Sequence, residues 1–231
     1  MEEVNDTTAK VKKTKSKKYI SLGNWVLKMR IAFDNATLPT IYPTLLTVGY
    51  DEAKIEGLKA KLTALTNLDT QQIRAIGDQM GATDASTKKR KEINALYLKH
   101  RSLLKILLSD DTVASVSMKL KGQRKKSYSE WFQNVSSFYT QLTQTPELTA
   151  HAASVGISLP VIDEQKQQLT ALQALKEIQR KKTADAQQAT KLRNQAFNEL
   201  RPLYTEYIKY ARILLAGNQA LEALGIVVKR K

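Results

Sequence analysis

The stretch ELRPLYTEYIKYARILL, Glu199–Leu215, decides the fold. Its apolar residues, Leu200, Leu203, Tyr204, Tyr207, Ile208, Ala211, Leu214 and Leu215, recur every three or four positions. On an α-helix they make one broad stripe that must be covered. The stripe is written twice. Shifted back by one constant offset, which carries Leu200 onto Ile93, the chain repeats the pattern. Ile93, Leu96, Tyr97, His100, Arg101, Leu104, Leu107 and Leu108 stand in the same places, with Tyr97 matching Tyr204.

The same offset holds further out. Val48-Gly49 returns as Val155-Gly156, Leu62-Thr63-Ala64-Leu65 as Leu169-Thr170-Ala171-Leu172, and Ala82-Thr83 as Ala189-Thr190. Ile106-Leu107-Leu108 returns as Ile213-Leu214-Leu215. Residues 48–118 and 155–225 share 19 identities in 71 ungapped positions. Two unrelated leucine-rich helices drift out of phase, so the pattern reads as an internal duplication.

Composition supports an all-α chain. Gly (9) and Pro (5) are scarce among the 231 residues, and Leu, Ala, Lys and Gln are abundant. That length suffices to bury a sizeable core in one or two domains. No apolar run is long enough to span a bilayer, and the N-terminal stretch 1–18 lacks the apolar centre of a signal peptide, so a cytoplasmic protein is expected. Cysteine is absent, which excludes disulfides, thiolate metal sites and cysteine nucleophiles. With only two histidines, His100 and His151, no structural zinc site is expected. The net charge of +15 points to a polyanionic partner, with solubility as the plain alternative.

Taken in order, residues 1–18 are a polar tail ending in lysines, expected to be disordered. Repeat 1 spans 19–118, a basic linker 119–127, repeat 2 128–226, and a second basic tail 227–231. Leu22, Trp25, Met29 and Phe33 predict a helix from about Ser21 to Asn35, ended by Pro39 and Pro43. Ile55 to Met80 predicts a second helix and Ile93 to Leu108 a third. Between them, GATDASTKKRKE (81–92) is polar, carries Gly81 just after Gly77, and offers Asp84 or Ser86 as a cap. The chain either turns there or runs through as one rod. The nearly equal flanking segments favour a hairpin, and a rod on the order of 85 Å would outrun the short first helix. The second repeat opens with Tyr128, Trp131, Val135, Phe138 and Leu142, with its register slipped by one. Thr145-Pro146-Glu147 begins a short helix, Pro160 sits in the first turn of the next long segment, and Gly217 and Gly225 end the last two helices. The expected fold is thus two tandem repeats, each a short helix plus a long helical hairpin, packed as a four-helix-bundle-like core.

Candidate chemistry is thin. His100 lies on the stripe that should be buried, without a nucleophile or a carboxylate at helical spacing, so a structural role is expected. The acid pairs Asp51-Glu52, Asp110-Asp111 and Asp163-Glu164 all lie beside predicted helix ends, where capping explains them. No phosphate-binding glycine loop, Glu-x-x-His bundle motif or GxSxG elbow is present. The chain therefore reads as a non-enzyme without cofactor or metal.

Trp25 and Trp131, each shortly after a lysine pair, are read as core anchors before base-stacking residues, and Tyr210 is the tyrosine left for the surface. The candidate polyanion-binding residues are Lys88, Lys89, Arg90, Lys91, Lys99, Arg101 and Lys105 along one helix, with Lys121, Arg124, Lys125 and Lys126 in the linker. Nucleic acid is the expected polyanion. A protein partner or a second copy of the chain, engaged through helical faces, is the alternative.

The run Ala189-Thr190, Asn194, Ala196, Leu200, Arg212 and Leu224-Gly225-Ile226 resembles bacterial all-helical repeat proteins of no assigned function, whose repeats end in Leu-Gly-Leu or Leu-Gly-Ile. The resemblance covers little beyond the last helix of each repeat. It implies a bacterial source and a helical fold, and no activity.

Overall fold

The computed structural model describes residues 20–122 and 127–228, and these contain helices and turns but no strand. The expected tail at 1–18, positions 123–126 of the linker and positions 229–231 lie outside the described residues.

Helix α1 (Leu22–Asp34) starts where the Ser21 hydroxyl accepts the Asn24 N–H at 3.3 Å. A 3₁₀ turn (Asn35–Thr37) and α2 (Tyr42–Leu46) follow. Gly49, at φ +81°, turns the chain into α3 (Glu52–Leu107), whose N-cap Asp51 accepts the Lys54 N–H at 2.8 Å. Asp111 caps α4 (Thr112–Ser117) in the same way, through Ala114 N–H at 2.9 Å. Then come α5 (Tyr128–Gln144), α6 (Pro146–Ser154), α7 (Leu159–Leu214) and α8 (Ala220–Ala223). Gly156, at φ +83°, leads into α7 as Gly49 leads into α3.

The hairpin expectation is corrected. Helices α3 and α7 each run unbroken for 56 residues, so each is about 84 Å long. The four rods of the expected bundle therefore reduce to two long helices. No turn is made at 81–92, and Ser86 caps nothing; it is 1 % exposed in mid-helix. The reason lies in a heptad pattern at Leu65, Gln72, Gln79, Ser86, Ile93 and His100, of which all but the half-buried Gln79 are buried. Its counterpart on α7 runs Leu172, Gln179, Ala186, Arg193, Leu200 and Tyr207. The seam loses its large apolar residues in the middle but keeps its period, so the helices stay paired with small and polar contacts.

The chain forms two compact units. Among the described residues, unit 1 is 20–67 with 195–228, and unit 2 is 68–122 with 127–194. This division differs from the repeat boundaries read from sequence, because each unit draws on both halves of the chain. In unit 1, Met29, Ala32 and Phe33 of α1 pack with Ile55, Leu58, Leu62 and Leu65 of α3, and with Leu200, Tyr207 and Ala211 of α7. Tyr207 meets Phe33 and Tyr50 edge-on at ring-centroid distances of 5.8 and 5.2 Å.

In unit 2, Trp131, Val135, Phe138, Tyr139 and Leu142 of α5 pack with Ile93, Tyr97, Leu104 and Leu108 of α3, and with Ile162, Leu169 and Leu172 of α7. The two long helices are antiparallel in this unit. Lys182 Nζ meets Asp78 Oδ2 at 2.7 Å, Gln179 Nε2 donates to Thr83 Oγ1 at 3.1 Å, and Arg193 donates to Gln72 Oε1 at 3.1 Å.

Candidate polyanion-binding surface and groove

The eleven basic residues picked out in the sequence have different fates. Arg124, Lys125 and Lys126 lie outside the described residues. Lys88, Lys91, Lys99, Lys105 and Lys121 are exposed in unit 2, and among the described residues none takes part in an ion pair. Lys89 reaches Glu92 at only 3.9 Å, a loose surface pair that contributes little.

Arg101 is occupied by the fold. Its guanidinium donates to the carbonyls of Lys119 and Leu120 at 3.1 and 2.8 Å, pinning the chain where it leaves α4. Lys119 itself sits at φ +52°, so the clamp holds a turn that backbone preference opposes. Arg90 lies over the Trp131 ring at 4.8 Å and the Tyr128 ring at 5.7 Å.

Of the residues expected to be structural, His100 and Trp131 are buried, Trp25 is half-buried, and Asp51 and Asp111 cap helices, whereas Asp163 and Glu164 are exposed beyond the first turn of α7. Trp131 is 6 % exposed and donates its Nε1–H to Asn94 Oδ1 at 2.8 Å. Trp25 packs edge-on against Phe197 and Tyr204 in unit 1. His100 is buried, its Nδ1 3.0 Å from the Tyr139 hydroxyl. Its ionisation is displaced below the ordinary histidine value by burial, with Lys99 adding to the effect. Tyr210 is 38 % exposed and touches Tyr50 edge-on. His151 is exposed on α6.

Sequence reading missed two residues that tertiary structure brings near Arg90 and Tyr128. Lys176 and Arg180, one turn apart on α7, line a shallow groove of about 240 Å³ with Tyr128, Phe132 and Gln133 of α5, and Glu177 of α7 lines it too. The Lys176 ammonium lies 4.8 Å from the Tyr128 ring centroid and donates to Gln179 Oε1 at 2.7 Å. Burial, then Arg90 and Arg180, pull the Lys176 ammonium below the usual lysine range. Burial raises the Tyr128 phenol, and Arg180 and Arg90 oppose the rise. Three cations thus crowd one tyrosine. The sequence signal that would have found Lys176 and Arg180 is their i, i+4 spacing, but nothing in sequence places them beside α5.

Among the described residues no helix is long and apolar enough to cross a membrane, and no cluster of three or more His, Asp or Glu residues stands ready for a metal. No family model, no curated protein and no solved structure matches this chain.

Proposed function

We propose that this all-α chain is a non-enzymatic protein that binds a polyanion, nucleic acid first of all, through sequence-indifferent phosphate contacts. The observation that carries this reading is the set Lys88, Lys91, Lys99, Lys105 and Lys121. All five are exposed and outside any ion pair among the described residues, in a chain of net charge +15. Ammonium groups left to solvent gain most from displacing counterions condensed on a phosphate backbone.

The experiment is oligonucleotide binding by anisotropy across about 50–200 mM salt. Affinity falls steeply, with a log–log slope of roughly 0.7 per phosphate contacted on a single strand. The triple variant Lys88→Gln/Lys91→Gln/Lys99→Gln lowers that slope by about two. Absence of binding by the intact protein at low salt removes the proposal.

We also infer that the two halves are tandem repeats that exchange partners. Helices α3 and α7 have equal lengths, and their bounds are separated by the same offset that relates the two stripes. Trp25 of the first half packs on α7 of the second, and Trp131 of the second half bonds to Asn94 on α3 of the first. Separate expression of 19–118 and 128–226 tests this: neither folds alone, and mixing them restores helicity.

A second reading, assembly with a protein partner through helical faces, is favoured by Ile106, Val113 and Val116 of unit 2, which are 75, 81 and 63 % exposed. Sedimentation that returns a defined oligomer, lost on replacing these three by serine, supports it.

A further inference from the structure

We propose that the groove between α5 and α7 in unit 2 seats one nucleotide of a single-stranded nucleic acid. Its phosphate lies between Lys176 and Arg180, and its base lies against the ring of Phe132. The inference rests on the polyanion-binding reading and gives it a place and a ligand unit.

Three observations converge on this site. First, Lys176 and Arg180 gather with Arg90 around Tyr128, and neither Lys176 nor Arg180 has a carboxylate within ion-pair distance among the described residues. Like charges drawn together repel, and a phosphate between them relieves the repulsion. Second, two of the three cations are already positioned. Arg90 lies over Trp131, and Lys176 is fixed by Gln179, which in turn bonds to Thr83 on α3. Lys176 therefore has little side-chain freedom left to lose on binding.

Third, the lining is aromatic. Tyr128 and Phe132 are half-buried, with ring centroids 5.9 Å apart and planes tilted by 30°, and both line the groove. An aromatic wall beside cations is the composition that stacks bases while holding the backbone, and it accepts any base because every base has a π face. Polyphosphate, a sulfated glycan or an acidic peptide would use the cations and leave the rings idle. The groove is shallow, and at about 240 Å³ it falls below the size that encloses a free small molecule, so it suits one unit of a strand that continues past it.

The test uses the full chain carrying Trp25→Phe, which leaves Trp131 as its one tryptophan of the original two. Trp131 fluorescence is titrated at low salt with an oligothymidylate and, separately, with polyphosphate of equal phosphate number. Oligothymidylate shifts the emission and binds more tightly. Phe132→Leu weakens oligothymidylate at least about fivefold and leaves polyphosphate unchanged, whereas Phe132→Tyr, which keeps a ring, retains both. Lys176→Gln/Arg180→Gln weakens both ligands, with far-UV circular dichroism confirming an intact fold. If that double variant binds oligothymidylate like the parent while Lys88→Gln/Lys91→Gln/Lys99→Gln loses affinity, the groove is wrong and the broader reading stands. If Phe132→Leu weakens both ligands equally, stacking is wrong. If the parent binds neither ligand, both readings fall together.

Discussion

His100 Nδ1 and the Tyr139 hydroxyl lie 3.0 Å apart inside the core of unit 2, their rings edge-on at 5.9 Å. Tyr207, the counterpart of His100 in the repeated stripe, meets Phe33 at 5.8 Å in unit 1 and donates its hydroxyl to Ala32 O at 3.3 Å. In each unit a long helix thus presents a ring with a polar tip to the short helix of the other half of the chain. A neutral imidazole and a protonated phenol share the bond in unit 2, and burial favours both neutral forms.

The burial of His100 makes stability sensitive to acid. His100 ionises below its ordinary value of 6.5 in the folded chain, so the unfolded chain binds more protons at this residue as pH falls. The stability it contributes is complete above pH 6.5 and declines as pH drops through that value toward the folded one. Thermal midpoints should fall between about pH 7 and pH 5, and His100→Gln should flatten that part of the profile.

The alkaline side has the opposite sign. Burial pushes the Tyr50 phenol up to about 12, with Glu206 and Tyr210 adding to the rise. Burial raises Tyr139 and Tyr207 further. Their stabilisation is complete below pH 10 and is lost as pH climbs toward the folded values. Absorbance at the phenolate band should show late-titrating tyrosines that ionise together with loss of helicity.

Gly77 and Gly81 lie within α3, and a Cβ built on either meets nothing within 4 Å. In an unbroken helix Gly77→Ala and Gly81→Ala should each stabilise the protein by roughly 0.4–1 kcal/mol, read from denaturant midpoints. A loss of stability at either site would contradict the continuous helix.

Ser86 Oγ is buried in the seam with no hydrogen-bond partner among the described residues. Ser86→Ala removes an unmet polar group at almost constant volume, so it should be neutral or stabilising by up to about 1 kcal/mol. Leu200→Ala, in the apolar part of the seam in unit 1, should cost about 2–5 kcal/mol.

Arg101 separates structure from binding. Arg101→Gln leaves the carbonyls of Lys119 and Leu120 without their charged donor and should destabilise unit 2 by about 1–2 kcal/mol. Lys99→Gln, on the exposed side of the same helix, should leave the thermal midpoint unchanged and lower oligonucleotide affinity.

The helical class, the ends of α1, the start of α5, the capping roles of Asp51 and Asp111 and the burial of His100 and Trp131 were all legible in the sequence. Each depends on local spacing or on a single side chain next to a helix end. The middle of α3 was not legible, because Gln72, Gln79 and Ser86 replace leucine in the seam and two glycines lie nearby. A search for apolar faces sees a gap there, while the heptad period carries on beneath it. The groove was hidden for another reason: Lys176 and Tyr128 stand on different helices, far apart along the chain, and nothing local to either one marks the other as its neighbour.

By itself the sequence determined that the chain would be helical, that its stripes would recur at one interval, and that thiol chemistry was closed to it. A stripe states that a face must be covered and leaves open which helix covers it. Tertiary structure decided that the two long segments run through as single helices and that α1 and α5 each pack on the long helix of the other half. It also decided that Lys176 and Arg180 stand beside an aromatic wall. Those outcomes follow from packing between distant segments, where shape and small residues choose the partner and local propensity does not.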